Sequence, residues 1–162
     1  MGCSEAPRPW LTSAAGSGRD RGPRPDYRGA VATLEQARAV ALALPEVTEG
    51  DRHGRLSWAV GRKVFAWERA FSKADIRRYG AEPVPEGPIL ALAAADLGDK
   101  AALLQAHPEF FTIPHFDGYA AVLVRLVDCS PDLLRESLVD AWLTCAPPSL
   151  AQAYLADGRA PD

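Results

Sequence analysis

Apolar and polar positions alternate along this chain with two periods, which divide it into helices and strands. Leu34, Ala37, Ala41 and Leu44 recur at helical spacing. Thr33-Leu34-Glu35-Gln36 has the form of a capping box, and Pro45 marks the stop. Leu56-Ser57-Trp58-Ala59-Val60 and Val64-Phe65-Ala66-Trp67 are β-prone runs on either side of Gly61-Arg62-Lys63, the pattern of a β-hairpin. The polar stretch 70–87, with Pro83 and Pro85, reads as a loop or short helix, and 88–92 as a third strand. Asp96 is placed to cap a second helix with Leu97, Ala101 and Leu104 on one face, ended by Pro108. Residues 112–116 are expected to form a fourth strand and 119–127 a fifth, with Gly118 at the turn between them. Ser130-Pro131-Asp132 starts a last helix with Leu134, Leu138, Ala141 and Cys145 facing inward. Pro147-Pro148 ends it, and the residues from Ser149 add one more turn.

The resulting order, α-β-β-β-α-β-β-α, predicts an α+β two-layer sandwich, an antiparallel sheet with helices on one face. The segment 31–155 is expected to carry this domain, and 156–162 a flexible C-terminus. Residues 1–30 hold four prolines, five arginines and Gly/Ser runs, and are expected to form a disordered tail.

Composition narrows the class. The 162 residues are 48% hydrophobic and 24% charged, values of an ordinary globular protein. Three cysteines without CxxC spacing argue against a disulfide framework or a zinc ribbon and suit a reducing, cytoplasmic setting. The longest apolar run is too short to cross a bilayer, so no membrane partner is expected.

Charge is unevenly spread beneath the net −3. Residues 52–78 carry eight Lys/Arg against two acids, whereas 79–162 carry four against twelve. Trp58, Phe65, Trp67 and Phe71 are interleaved with the bases, and a cationic surface that offers aromatic faces attracts phosphates and stacks on bases. The candidate nucleic-acid contacts are Arg62, Lys63, Arg69, Lys73, Arg77 and Arg78, with Trp67 and Phe65 as stacking groups. The competing reading makes the turn charges ordinary solvated groups and the tryptophans core.

Catalytic signals are weak. His115 and Asp117 lie two apart, which on a strand would place both on one face, and His53 and His107 could join them. No HExxH, His/Cys cluster, GxSxG elbow or Walker A loop accompanies them. The expectation is therefore a non-enzymatic protein with no catalytic residue, metal or cofactor; a small-ligand or metal site at the histidines is the less favoured alternative.

The segments Ala43-Leu44-Pro45-Glu46-Val47-Thr48-Glu49 and Leu56 to Ala66 resemble the opening of the MmcQ/YjbR-like family, where an "LPGVxE" segment leads into an "F-x-V-x-G-K-x-F-A" hairpin. Pro114 to Tyr119, 121–126 and Leu134-Arg135-Glu136-Ser137 match its later half. The resemblance implies a secretion-chaperone-like fold of order α-β3-α-β2-α. It also implies binding of DNA or another nucleic acid, by analogy with a double-wing architecture. A homodimer or another protein-interaction role is the alternative.

Overall fold

A computed structural model of the chain describes residues 30–158. The tail expected over 1–30 lies, apart from Ala30, outside the described residues, as do the last four residues of the C-terminal segment.

Helix α1 (Leu34–Ala43) begins on the expected capping box. The Gln36 N–H donates to Thr33 Oγ1 at 3.1 Å, and the Thr33 N–H donates to Gln36 Oε1 at 3.0 Å. Three strands follow: β1 (Val47–Asp51), β2 (Leu56–Val60) and β3 (Lys63–Glu68). Then come α2 (Lys73–Tyr79), β4 (Ile89–Ala93), α3 (Leu97–Ala106), β5 (Phe110–Phe111), β6 (Ala121–Arg125), α4 (Pro131–Cys145) and α5 (Pro148–Ala156). The strands form one antiparallel sheet in the order β1-β2-β3-β4-β6-β5. The α+β class is as expected, with refinements at four places.

The first is β1, which has no counterpart among the expected strands. It is an edge strand whose residues after Val47 are exposed, so no apolar alternation betrays it. Ladder pairing to β2 holds it, and so does Glu49, which receives Arg38 Nε at 2.7 Å, Arg38 Nη2 at 2.9 Å and the Trp58 indole N–H at 3.1 Å. The second is the strand expected over 112–116. Pro114–Phe116 is instead a 3-10 turn, and β5 is a two-residue strand before it. Proline has no N–H to give to a ladder, and the Phe116 N–H closes a tight turn onto the Ile113 carbonyl. The third is α5, a helix of nine residues in place of one turn, with Pro148 in its first turn, where the missing N–H costs nothing.

The fourth concerns the sheet's two faces. β4 and β6 alternate Leu90, Leu92, Val122 and Val124 toward one face and Ile89, Ala91, Ala121 and Leu123 toward the other. The first face packs against α1 and α4 through Ala37, Ala41, Leu134, Leu138 and Trp142. The second is also covered, by Phe71, Tyr79 of α2, Ile113 and Phe116, so it holds a smaller core of its own around Trp67. A register shift at Trp58/Ala59 leaves Phe65 as an extra residue in β3, and Phe65 and Ala66 therefore both enter the larger core. Cys145, expected inside, is only half-buried; Cys129 is the buried thiol, and burial pushes it up to about 12, so it stays protonated at neutral pH.

Candidate functional site

Two tight turns organise the basic residues, and they lie at opposite ends of β2. The β2–β3 loop is Gly61-Arg62, with Gly61 at φ +60° in the first loop position, where a two-residue hairpin needs a left-handed residue. The β1–β2 loop is His53-Gly54, flanked by Arg52 and Arg55, which exchange backbone hydrogen bonds at 2.7 and 3.2 Å. Both loop residues have positive φ, +57° and +77°, the signature of a type I′ turn. β3 spans six residues, about 20 Å, between these ends.

The sequence run 52–78 is therefore divided in space. Arg62 and Lys63 are exposed at the first end. Arg52, Arg55 and Arg69 gather at the second, and α2 follows closely with Lys73 and Arg77 exposed on one face. The two proposed stacking rings are core residues. Phe65 has 0% of its surface exposed and has no face to offer a base. Trp67 is 6% exposed and belongs to the second-face core.

The second end is concave. A cleft of about 400 Å³ opens there, lined on one side by Arg52, His53 and Arg55 of the I′ turn. Trp67 and Glu68 of β3, with Arg69 just after it, form its floor, and His115 and Phe116 of the 3-10 turn, with Tyr119 just after it, close the far side. Its aromatic wall is a three-ring cluster. Trp67 stacks on Phe116 at 6.3 Å, and Tyr119 meets Trp67 edge-on at 6.2 Å and Phe116 at 5.7 Å. The Arg52 guanidinium stands over Trp67 at 5.3 Å, and that of Arg69 over Phe116 at 5.7 Å. Such cation–π placement holds a guanidinium without neutralising it.

Carboxylates orient two of the three arginines. Arg55 Nη1 donates to Glu68 at 2.9 Å, and Arg69 Nη2 donates to Asp75 at 2.7 Å. Arg52 has no carboxylate partner among the described residues. Asp75 is buried, and desolvation alone would raise its pKa. Hydrogen bonds from the Ser72 N–H and hydroxyl and from Arg69 overcome that and hold it at about 2. Its other oxygen accepts no hydrogen bond and faces Arg78 Nη1 at 3.5 Å.

A buried lysine builds the far wall. Lys100 on α3 donates to the carbonyls of Phe116 at 2.6 Å and Tyr119 at 3.0 Å. Burial pulls its pKa down, and Asp117 opposes the shift. Lys100→Met keeps the stem and removes both bonds, leaving carbonyls unpaired. It is expected to cost about 1.5–3 kcal/mol in urea unfolding and to raise hydrogen exchange over 116–121.

The histidines separate. His53 and His115 share the cleft, whereas His107 lines a different one of about 410 Å³ between α3 and α4. His115 lies in a 3-10 turn, so the strand geometry expected to align it with Asp117 is absent. Among the described residues no three His, Cys, Asp or Glu side chains group as metal ligands. None of the described helices is long and apolar enough to cross a membrane. Arg52, Arg55 and Tyr119 were not among the expected site residues, whereas His53 and His115 were, as members of a small-ligand or metal site. The His53-Gly54 pair between two short extended runs was the available signal for the turn that positions Arg52, His53 and Arg55.

The YjbR family profile matches residues 42–144. "Uncharacterized protein Rv2570" of Mycobacterium tuberculosis is 43% identical over 131 residues, covering 78% of this chain and 98% of that protein. "Uncharacterized protein Mb2600" of Mycobacterium bovis matches with the same identity and coverage. No solved structure matches the chain.

Proposed function

The chain belongs to the YjbR family, and on that footing we propose that it is a non-enzymatic protein that binds DNA or RNA through the arginine-rich end of its sheet. The observation that carries this reading is the gathering of three arginines and two histidines against an aromatic wall at one end of the sheet. Guanidinium groups recognise phosphate oxygens in pairs, and an exposed ring accepts a base of any sequence. Tyr119, 52% exposed, is the ring placed for that role, which passes to it from the buried Phe65 and Trp67. Lys73 and Arg77, exposed on α2 shortly after Arg69 in the chain, are further candidate phosphate contacts. Arg62 and Lys63, at the far end of β3, are secondary contacts that only a longer strand reaches.

Fluorescence anisotropy with mixed DNA and RNA oligonucleotides tests this. Arg52→Ala/Lys73→Ala removes two exposed cations without breaking an ion pair among the described residues. It is expected to weaken binding uniformly across sequences and to flatten the log–log salt dependence by about 1.4 for single strands. Arg62→Ala/Lys63→Ala is expected to have the smaller effect. No affinity at low salt, or an affinity untouched by Arg52→Ala/Lys73→Ala, would sink the reading.

A further inference from the structure

The cleft is a pocket, and a pocket suits the end of a strand better than its middle. Its volume of about 400 Å³ falls within the roughly 300–1,000 Å³ of sites that enclose small ligands. An internal phosphodiester has one charge and must leave on both sides, which calls for cations spaced along a track. Here the donors converge instead. Arg55 and Arg69 are held in place by Glu68 and Asp75, each spending only part of its five-donor fork. The one acid lining the cleft, Glu68, is engaged by Arg55. Arg52, poised over Trp67 with no carboxylate partner among the described residues, has its fork open for an anion.

Two further observations point the same way. His53, exposed at the tip of the I′ turn, lines the cleft beside Arg52 and offers an imidazole N–H to an anion's oxygen. Tyr119 leaves half its surface open beside the cations, fixed from behind by Lys100.

We propose that this cleft binds a phosphate monoester carried on a flat ring, either the phosphorylated end of a nucleic-acid strand or a free mononucleotide. The phosphate lies at Arg52, Arg69 and His53, and the base lies against Tyr119. A monoester presents nearly two charges and three terminal oxygens at neutral pH, which uses this donor set more fully than a diester does. The assignment deepens the nucleic-acid reading and rests on it for the strand as a source of the ligand.

The test compares short labelled single strands ending in a 5′-phosphate, a 3′-phosphate or hydroxyls, with adenosine monophosphate, adenosine and inorganic phosphate as competitors. A terminal phosphate is expected to raise affinity about tenfold. Adenosine monophosphate should compete better than inorganic phosphate, and adenosine should not compete. Arg52→Ala should abolish the advantage of the phosphorylated end, and Arg52→Lys should restore part of it. Strands that bind alike whatever their ends, with no competition by adenosine monophosphate, overturn the pocket and leave the nucleic-acid reading intact. Adenosine monophosphate bound in an Arg52-dependent way, with no strand bound, supports the pocket and overturns the strand reading. Equal competition by adenosine monophosphate and inorganic phosphate overturns the proposed ligand class.

Discussion

Trp142→Ala is expected to remove about 3–5 kcal/mol of folding stability, the largest loss of any single substitution considered for this chain. Trp142 is completely buried on α4, where it fills the larger core between the sheet and α1. Its ring meets Tyr154 of α5 at 5.0 Å, and its indole N–H donates to the Pro45 carbonyl at 3.1 Å. One side chain therefore ties α4 to α5 and to the turn that leads into β1. Alanine leaves a cavity that rigid neighbours on several elements cannot close, and it leaves the Pro45 carbonyl without its partner. Domains of this size are stable by about 5–15 kcal/mol, so the loss is a large fraction of the total. Urea unfolding followed by far-UV circular dichroism gives the number. Trp142→Phe separates the contributions, since it retains most of the packing and loses the hydrogen bond, and it should cost only about 1–2 kcal/mol. Equal losses in the two variants would show that the hydrogen bond, and not the filled volume, dominates.

Asp75→Ala is expected to cost about 2–4 kcal/mol and to disturb the candidate cleft as well. Asp75 is 2% exposed and forms the reciprocal half of the α2 capping box, with its carboxylate accepting from the Ser72 N–H at 2.8 Å. The same oxygen accepts from Arg69 at 2.7 Å, and Arg69 in turn stands over Phe116. Removing the carboxylate opens the first turn of α2 and frees Arg69 together. Nucleic-acid affinity should fall along with stability, whereas Asp75→Asn, which can still cap the helix, should recover part of the stability. Acid provides an independent check. The folded pKa of about 2 lies below the ordinary aspartate value of 3.8, so the stabilisation is fully present above about pH 4 and is lost as pH falls toward 2. A shift of that size corresponds to about 2 kcal/mol. The wild-type protein should lose that much more than Asp75→Asn between pH 5 and 2 in matched urea titrations. Parallel pH profiles for the two proteins would show that Asp75 contributes nothing to acid sensitivity.

Much of the fold was legible because local chemistry declares it. Thr33, Ser130 and Asp96 each accept the backbone N–H that their sequence context predicts, at 3.1, 3.1 and 2.7 Å. Gly61 turns the hairpin where alternation pauses. The four strands with apolar residues on both faces stood out for the same reason, since burial on either side demands apolar side chains. β1 escaped because an edge strand is stabilised by its neighbour's hydrogen bonds, and Thr48, Glu49 and Asp51 need not be apolar for that. The Pro114 turn escaped because Thr112 and Ile113, read alone, continue a β-prone stretch after Phe110 and Phe111.

The basic stretch shows where local reading ends. Eight Lys/Arg within residues 52–78 are a property of the chain, and so are the aromatic residues among them. Antiparallel pairing then carries Arg62 and Lys63 to one end of the sheet and Arg52, Arg55 and Arg69 to the other. The bulge at Phe65 and the covered second face turn two apparent stacking rings into core. His115 and Tyr119, far along the chain, arrive beside Arg52 only because β6 runs back next to β4, while Lys100 on α3 pins the intervening turn. The amino-acid sequence by itself therefore determined the capped helices, the four apolar strands and the cationic character, all of which depend on neighbours within a few residues. Which cations share a surface, and which rings face it, was decided by the sheet, because strand direction and register set distances that no local pattern encodes.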